Sequence, residues 1–217
     1  SRGVEGYMEK LSRMGIPTAP EDYLTSVDAA IDHLRRFHAG KKCYVFGTRA
    51  FYGQLQTAGI PVTDRSEDDV DILLCGFDRE LTFRKLEDAC ILLNRGVTWL
   101  ATNPDWVCPT WYGSVPDCGS VCRMLTTATG RKPLFLGKPQ PAMAELALRR
   151  TGFSPEQAVM IGDRLYTDVA CGINAGIDSI FVLSGEGTEA DIAQYGIHPT
   201  WIFSDIAALY RQLEETL

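Results

Sequence analysis

The sequence predicts an α/β fold built on a parallel sheet. Short apolar runs recur along the chain, stretches with helical spacing separate them, and glycine or proline marks most of the junctions. Strands that alternate with helices imply parallel pairing with right-handed crossovers.

The elements follow in order. The first fifteen residues read as a helix: Val4, Tyr7, Met8 and Leu11 recur at helical spacing, and Gly15 stops it. "PEDYLTSVDAAIDHLRRFHAG" holds a second helix, with Ser26 as N-cap and Gly40 past its end. "KKCYVFG" is a short buried strand, and "DDVDILLCGFD" is another that ends at a turn. "LTFRKLEDACILLNRG" is an amphipathic helix and "VTWLATN" a third strand. From Thr102 to Ser120 the pattern is irregular, with three prolines, two tryptophans and two glycines. Irregular stretches of that size are functional or disordered, and the aromatic content argues against disorder. After the helix "VCRMLTTATG" the alternation resumes with the strands "PLFLG", "AVMIG", "SIFVL" and "TWIFS". Helices begin near Pro139, Leu165 and Glu189, and a last one covers Asp205 to Leu217. The loop-rich region gives way to clean strand–helix units near Gly130.

Composition narrows the function classes. At ~150 residues per domain, 217 residues mean one large domain or two modest ones. Hydrophobic residues make up 45%, which supports a sizeable core. The net charge of −7 and the lack of any basic block argue against nucleic acid. No apolar run approaches the ~18 residues of a membrane span. "SRGVEGYMEK" lacks the hydrophobic segment of a signal peptide, so the expected location is cytoplasmic. Seven cysteines, odd in number and dispersed, read as reduced cytosolic thiols. Cys118 and Cys122 fit one helical face and Cys108 is near, but a zinc site needs a fourth ligand, and His33, His38 and His198 are all distant in sequence.

Open α/β sheets place their sites beyond the carboxyl ends of their strands. "PLFLG" ends at Lys138 and "AVMIG" at Asp163. If these strands are neighbours, an ammonium and a carboxylate share one crevice. Gly162 lets a ligand approach the backbone. Leu165, Val169 and Ile173 give the next helix its apolar stripe, and Gly176 ends it. Asp168 then lies in the first turn, where it either caps backbone N–H groups or holds Lys138. Carboxylates beside a lysine suit a hard divalent cation and a phosphate.

"GKPQP", followed twenty residues on by "VMIGDRLYTDVACGINAGI", resembles motifs three and four of the haloacid dehalogenase superfamily. "CGFDRELTFRKLEDACILLNRGVTWLATNPD", "PDCGSVCRMLTTATGRKP" and "HPTWIFSDIAAL" resemble its subfamily IIA, the NagD-type and p-nitrophenylphosphatase-type branch. The likeness covers nearly the whole chain. It implies a Rossmann-like three-layer core, residues 1–25 and 130–217, with a C2-type α/β cap inserted at residues 26–129. It also implies a Mg²⁺-dependent phosphatase of small phosphorylated metabolites, sugar phosphates among them. Asp163 would ligate Mg²⁺, Lys138 would neutralise phosphoryl oxygens, and Asp168 would orient Lys138 or a metal-bound water. Arg164 matches a substrate-touching position and reads equally as a solvent-facing helix start. Cys108 and Pro109 align with a His-Pro pair of vitamin B6 phosphate phosphatases, and a cysteine there argues against that substrate. Trp106 and Trp111 either stack on a substrate or plug the cap, while Asn103 and Asp105 organise the turn. The resemblance further implies a homodimer formed through the cap.

The family's nucleophile sits in a D-x-D-G motif, which does not occur here; the one D-x-D triplet, Asp69 to Asp71, leads into a strand. On the family pattern roughly forty residues, one strand–helix–strand unit, precede the first helix. The competing reading is a catalytically inactive binding protein on a phosphatase fold. A nucleotide-binding Rossmann domain fails, because no strand feeds a G-x-G-x-x-G turn; "SGEGT" is too short.

Overall fold

The computed structural model describes residues 4–215. The chain divides into two compact units, residues 1–137 and 138–217. The parts of the first and last predicted helices that fall on residues 1–3 and 216–217 lie outside the described residues.

The first unit opens with α1 (Val4–Arg13), a 3₁₀ turn (Pro20–Asp22) and α2 (Ser26–Phe37). Thr25, not Ser26, caps α2: its hydroxyl accepts the Asp28 N–H while the Asp28 carboxylate accepts the Thr25 N–H, a reciprocal capping box. There follow β1 (Cys43–Phe46), α3 (Arg49–Thr57), β2 (Val62–Thr63), β3 (Ile72–Cys75), α4 (Phe83–Arg95) and β4 (Thr98–Ala101). An antiparallel hairpin, β5 (Val107–Thr110) and β6 (Gly113–Pro116), occupies the stretch expected to be irregular. Then come α5 (Cys118–Thr129) and β7 (Leu134–Phe135).

The five-stranded parallel sheet has the order β2-β1-β3-β4-β7. Alternation along each strand divides its side chains between two faces. Tyr44, Phe46, Leu73, Cys75 and Trp99 pack against α4 and α5 on one face. Cys43, Val45, Ile72, Leu74 and Leu100 pack against α2 and α3 on the other. Both faces are covered, which is why these strands are apolar throughout. Each fully buried Leu or Phe contributes about 1.5–3 kcal/mol.

β7 settles where the strand before Lys138 pairs. "PLFLG" pairs with β4 within the first unit, Leu100 opposite Leu134, and so is no neighbour of "AVMIG". The first unit ends at Gly137, and residues 4–25 group with it.

The second unit contains α6 (Ala142–Thr151), β8 (Val159–Gly162), a π-helical turn (Leu165–Val169) continuing into α7 (Ala170–Asn174), and β9 (Asp178–Val182). It closes with α8 (Ala190–Tyr195), β10 (Trp201–Phe203) and α9 (Ile206–Glu214). Its parallel sheet runs β10-β9-β8. Phe181 packs with Leu165 and Val169 on one face, and Ile180 and Val182 pack with Leu209 of α9 on the other. Ile173 does not continue the stripe of Leu165 and Val169; it is 44% exposed, while Cys171 and Gly172 are buried. The π-turn explains this: one extra residue rotates everything after it by roughly 100° about the axis.

Candidate active site

The site is built at the carboxyl end of β8, within the second unit. Gly162 is the last residue of the strand and Asp163 follows it. A Cβ at Gly162 would overlap the Asp168 side chain, so the glycine permits the strand end and the π-turn to meet. The expected role, ligand approach to the backbone, is replaced by close packing of the protein on itself.

Asp168 does both things that the sequence left open. Its Oδ2 accepts the Arg164 backbone N–H at 3.2 Å, capping the turn. Its Oδ1 accepts the Lys138 ammonium. The Asp168 side chain is 10% exposed and that of Lys138 is 40% exposed, so the pair joins an anchored acid to a cation open to solvent on one side. The lysine's own segment is tied down as well. Asn174 Nδ2 donates to the Pro139 carbonyl at 2.9 Å, and the Cys171 thiol donates to the Gln140 carbonyl at 3.2 Å. Lys138 therefore reaches Asp168 by a loop moored to α7, not by strand adjacency.

Asp163 is held by the "SGEGT" loop that follows β9. The Glu186 backbone N–H donates to Asp163 Oδ2 at 3.0 Å, and the Gly187 N–H donates to the Asp163 carbonyl at 2.9 Å. A Cβ at Gly185 would overlap the Asp163 carboxylate, and one at Gly187 would stand 2.6 Å from the Asp163 carbonyl oxygen. The loop can lie this close only because both residues are glycine. Arg164 turns toward the same loop: Nε and Nη2 donate to the two Glu186 carboxylate oxygens at 2.7 and 2.6 Å. That bidentate pair replaces the free helix start of the sequence reading, and the Arg164 side chain is only 19% exposed.

Cys108 and Pro109 lie on β5 of the first unit, Cys108 half-buried and Pro109 exposed. Trp111, at the hairpin tip, is 94% exposed and stacks edge-on against Tyr112 at 5.1 Å, so it plugs nothing within its own unit. Asn103 donates to Asp105 and Asp117 at 2.9 and 3.2 Å, organising the turn. Asp69 and Asp71 serve as ion-pair partners of Lys42 and Lys41. Glu186, Gly185, Gly187 and Asn174 were not singled out in the sequence. A readable signal existed for the loop alone: two glycines flanking an acid directly after an apolar strand.

Among the described residues no group of three or more His, Cys, Asp or Glu side chains converges as a metal cage. Mg²⁺ does not need one; it is bound through one or two carboxylates, waters and substrate phosphates. Asp163 fits that pattern, with Oδ2 fixed by the loop and no protein partner on Oδ1 among the described residues. Asp168 is already committed to Lys138 and the turn.

An α/β sheet that ends in a positioned acid, beside a lysine–aspartate pair, defines a class of site suited to binding phosphate with a hard cation. Comparison with known proteins gives the family. A haloacid dehalogenase-like hydrolase profile matches residues 1–61, and a HAD-hydrolase-like profile matches residues 135–209. An acid sugar phosphatase of Staphylococcus aureus (strain USA300) is 32% identical, over 97% of this chain and 81% of that protein. The crystal structure of 4-nitrophenylphosphatase from Thermotoga maritima superposes with a TM-score of 0.89 at 35% identity, over 97% of this chain and 80% of that one. A glycerol phosphate phosphatase from Mycobacterium tuberculosis, in complex with magnesium, gives a TM-score of 0.89 at 32% identity, over 96% of this chain and 64% of that one. The chain belongs to the haloacid dehalogenase-like hydrolases, in the branch of phosphoric monoester hydrolases.

Proposed function

We propose that this protein is a Mg²⁺-dependent phosphatase of small phosphorylated metabolites, acting through an aspartyl-phosphate intermediate. The observation that carries the reading is the Lys138–Asp168 pair beside Asp163 at the carboxyl end of β8. Sugar phosphates are the favoured substrates, because a relative named acid sugar phosphatase is similar along 97% of this chain and a glycerol phosphate phosphatase shares its fold.

Each residue then has a task. Lys138 draws in the phosphoryl oxygens and offsets the charge that grows on them. Asp168 holds that ammonium toward the phosphate. Asp163 holds Mg²⁺, which when bound adds positive charge at the phosphate. An aspartate carboxylate attacks phosphorus as the bond from phosphorus to the alcohol oxygen breaks, and the alcohol takes a proton from solvent; water then cleaves the acyl phosphate, which returns the carboxylate, inorganic phosphate and the proton. The resemblance puts that aspartate in a D-x-D-G motif, which these 217 residues do not contain. By the family resemblance residues 26–129 serve as the cap, Cys108 and Pro109 contribute to substrate binding, and the cap is the surface for a homodimer. Arg164 contributes at the substrate's edge as half of an ion pair.

The second reading is a catalytically inactive binding protein on the phosphatase fold. One assay separates the two: hydrolysis of p-nitrophenyl phosphate by the full-length protein, with Mg²⁺ and with EDTA. The expected result is Mg²⁺-dependent turnover that Asp163→Ala abolishes. Turnover that survives EDTA would defeat the metal-dependent reading, and a folded protein with no turnover would favour the binding role.

A further inference from the structure

We propose that Glu186 is a positioning residue of this site, acting on Asp163 through its backbone and on Arg164 through its side chain. The inference rests on the phosphatase reading above and goes beyond it, because neither the motifs nor the relatives assign the "SGEGT" loop a role.

The argument is a closed ring of contacts. Asp163 Oδ2 accepts the Glu186 N–H at 3.0 Å. The Glu186 carboxylate grips the Arg164 fork at 2.7 and 2.6 Å. Arg164 is joined covalently to Asp163. The ring therefore fixes the end of β8 to the loop after β9 at two points, and the Gly187 N–H to the Asp163 carbonyl adds a third at 2.9 Å. An aspartate carboxylate, carried on two rotatable bonds, is normally free to swing. Here one oxygen is anchored, and the other is left facing away from the anchor.

The ring also extends to the phosphate-binding cation. The Arg164 backbone N–H donates to Asp168 Oδ2, and Asp168 Oδ1 holds Lys138. Glu186, Arg164, Asp168 and Lys138 thus form a continuous series of bonded groups. The chemistry of the pair has a further consequence. A guanidinium chelated by a carboxylate carries its charge in a neutralised pair, so Arg164 is no second phosphate anchor. Lys138 carries phosphate affinity, and the Arg164–Glu186 pair carries geometry.

Side chains that orient a metal ligand typically change metal affinity or activity by 10–100-fold when removed. Glu186→Ala keeps the two backbone N–H bonds to Asp163 but releases Arg164, so the loop loses one of its three points of attachment. The test is steady-state hydrolysis of p-nitrophenyl phosphate by the full-length protein, with kcat and KM resolved, beside calorimetric Mg²⁺ binding without substrate. Glu186→Ala is expected to lower kcat and weaken Mg²⁺ binding by roughly 10-fold or more, with KM little changed. Arg164→Ala in the same background should add little further, because the two act as a unit. Glu186→Gln, which preserves shape and one hydrogen bond, should recover part of the loss. The exposed loop acid Glu189, changed to Ala, should match wild type.

Wild-type kcat and Mg²⁺ affinity in Glu186→Ala would overturn the positioning role. So would additive losses in the double variant, or a change confined to KM. A wild type that binds Mg²⁺ without hydrolysing the ester would count against the phosphatase reading alone, and the calorimetric comparison would still decide the role of Glu186. Should Glu186→Ala fail to fold by circular dichroism, Glu186→Gln decides by the same two readouts.

Discussion

Asp168 and Lys138, thirty positions apart in the chain, are joined by an ion pair in which the acid is nearly buried and the base is not. The asymmetry predicts unequal losses. Asp168→Ala leaves the Arg164 N–H without its acceptor and Lys138 without its guide. We expect about 1–3 kcal/mol of destabilisation together with lost turnover. Lys138→Ala removes a cation that water already reaches, so stability should fall by less than in Asp168→Ala while turnover is lost. Thermal or denaturant unfolding beside a turnover assay separates the two. Equal stability losses would contradict the assignment.

Gly185 gives a substitution test of a different kind. Its backbone is not in the left-handed region, so alanine is conformationally acceptable there. The new methyl group would nevertheless collide with the Asp163 carboxylate. Overpacking of this sort costs roughly 1–3 kcal/mol. Gly185→Ala should shift Asp163 and weaken Mg²⁺ binding in calorimetry. Unaltered Mg²⁺ affinity would show that the loop does not press on Asp163.

His33 supplies a pH dependence. Burial, followed by the neighbouring His38 charge, holds its pKa below the ordinary 6.5. As pH falls through 6.5 the unfolded chain takes up this proton before the folded chain does. Folding stability therefore drops between 6.5 and the lower folded-state value, and levels off below it. The melting temperature should fall from pH 7.5 to pH 5.5 by more in wild type than in His33→Gln. Parallel pH profiles would remove His33 from the account.

The thiols should sort by burial. Cys43 is pushed up to about 12, chiefly by burial. Cys118 and Cys122 sit 4.0 Å apart at the start of α5. The hydrogen bond between them lowers the pKa of Cys118 and raises that of Cys122. Among the seven, only Cys90 and Cys108 are partly exposed. A maleimide should label those two in the native protein, and the remaining five only after unfolding. Rapid native labelling of Cys118 would contradict the burial.

Much of this molecule was readable in advance, for definite reasons. β1 and β3 are runs of buried apolar residues, and β4 and β9 become so after their first one or two positions, a pattern forced by helices on both faces of a parallel sheet. Lys138, Asp163 and Asp168 stood out because strand ends and helix starts are where polar groups must be satisfied. The hairpin was hidden, because its two-residue loop is Trp111–Tyr112 where asparagine and glycine are usual, and Pro109 and Pro116 interrupt its strands. α3 and β2, short elements between Arg49 and Thr63, left too little periodicity to read. The π-turn was invisible because a single extra residue leaves no compositional trace. The Glu186 contacts are long-range, and no local pattern encodes a loop folding back over a strand end.

The hairpin tip also equips the protein with an optical reporter. Trp111 is almost fully hydrated, while Trp99 is 3% exposed and donates its indole N–H to the Cys75 sulfur. With Trp106 and Trp201, which are 59% and 48% exposed, replaced by Phe, red-edge excitation should favour the hydrated Trp111, whose emission iodide can quench, while Trp99 is shielded from the quencher. Anything that settles on the tip would show itself as a blue shift of that quenchable fraction, without any label attached to the chain.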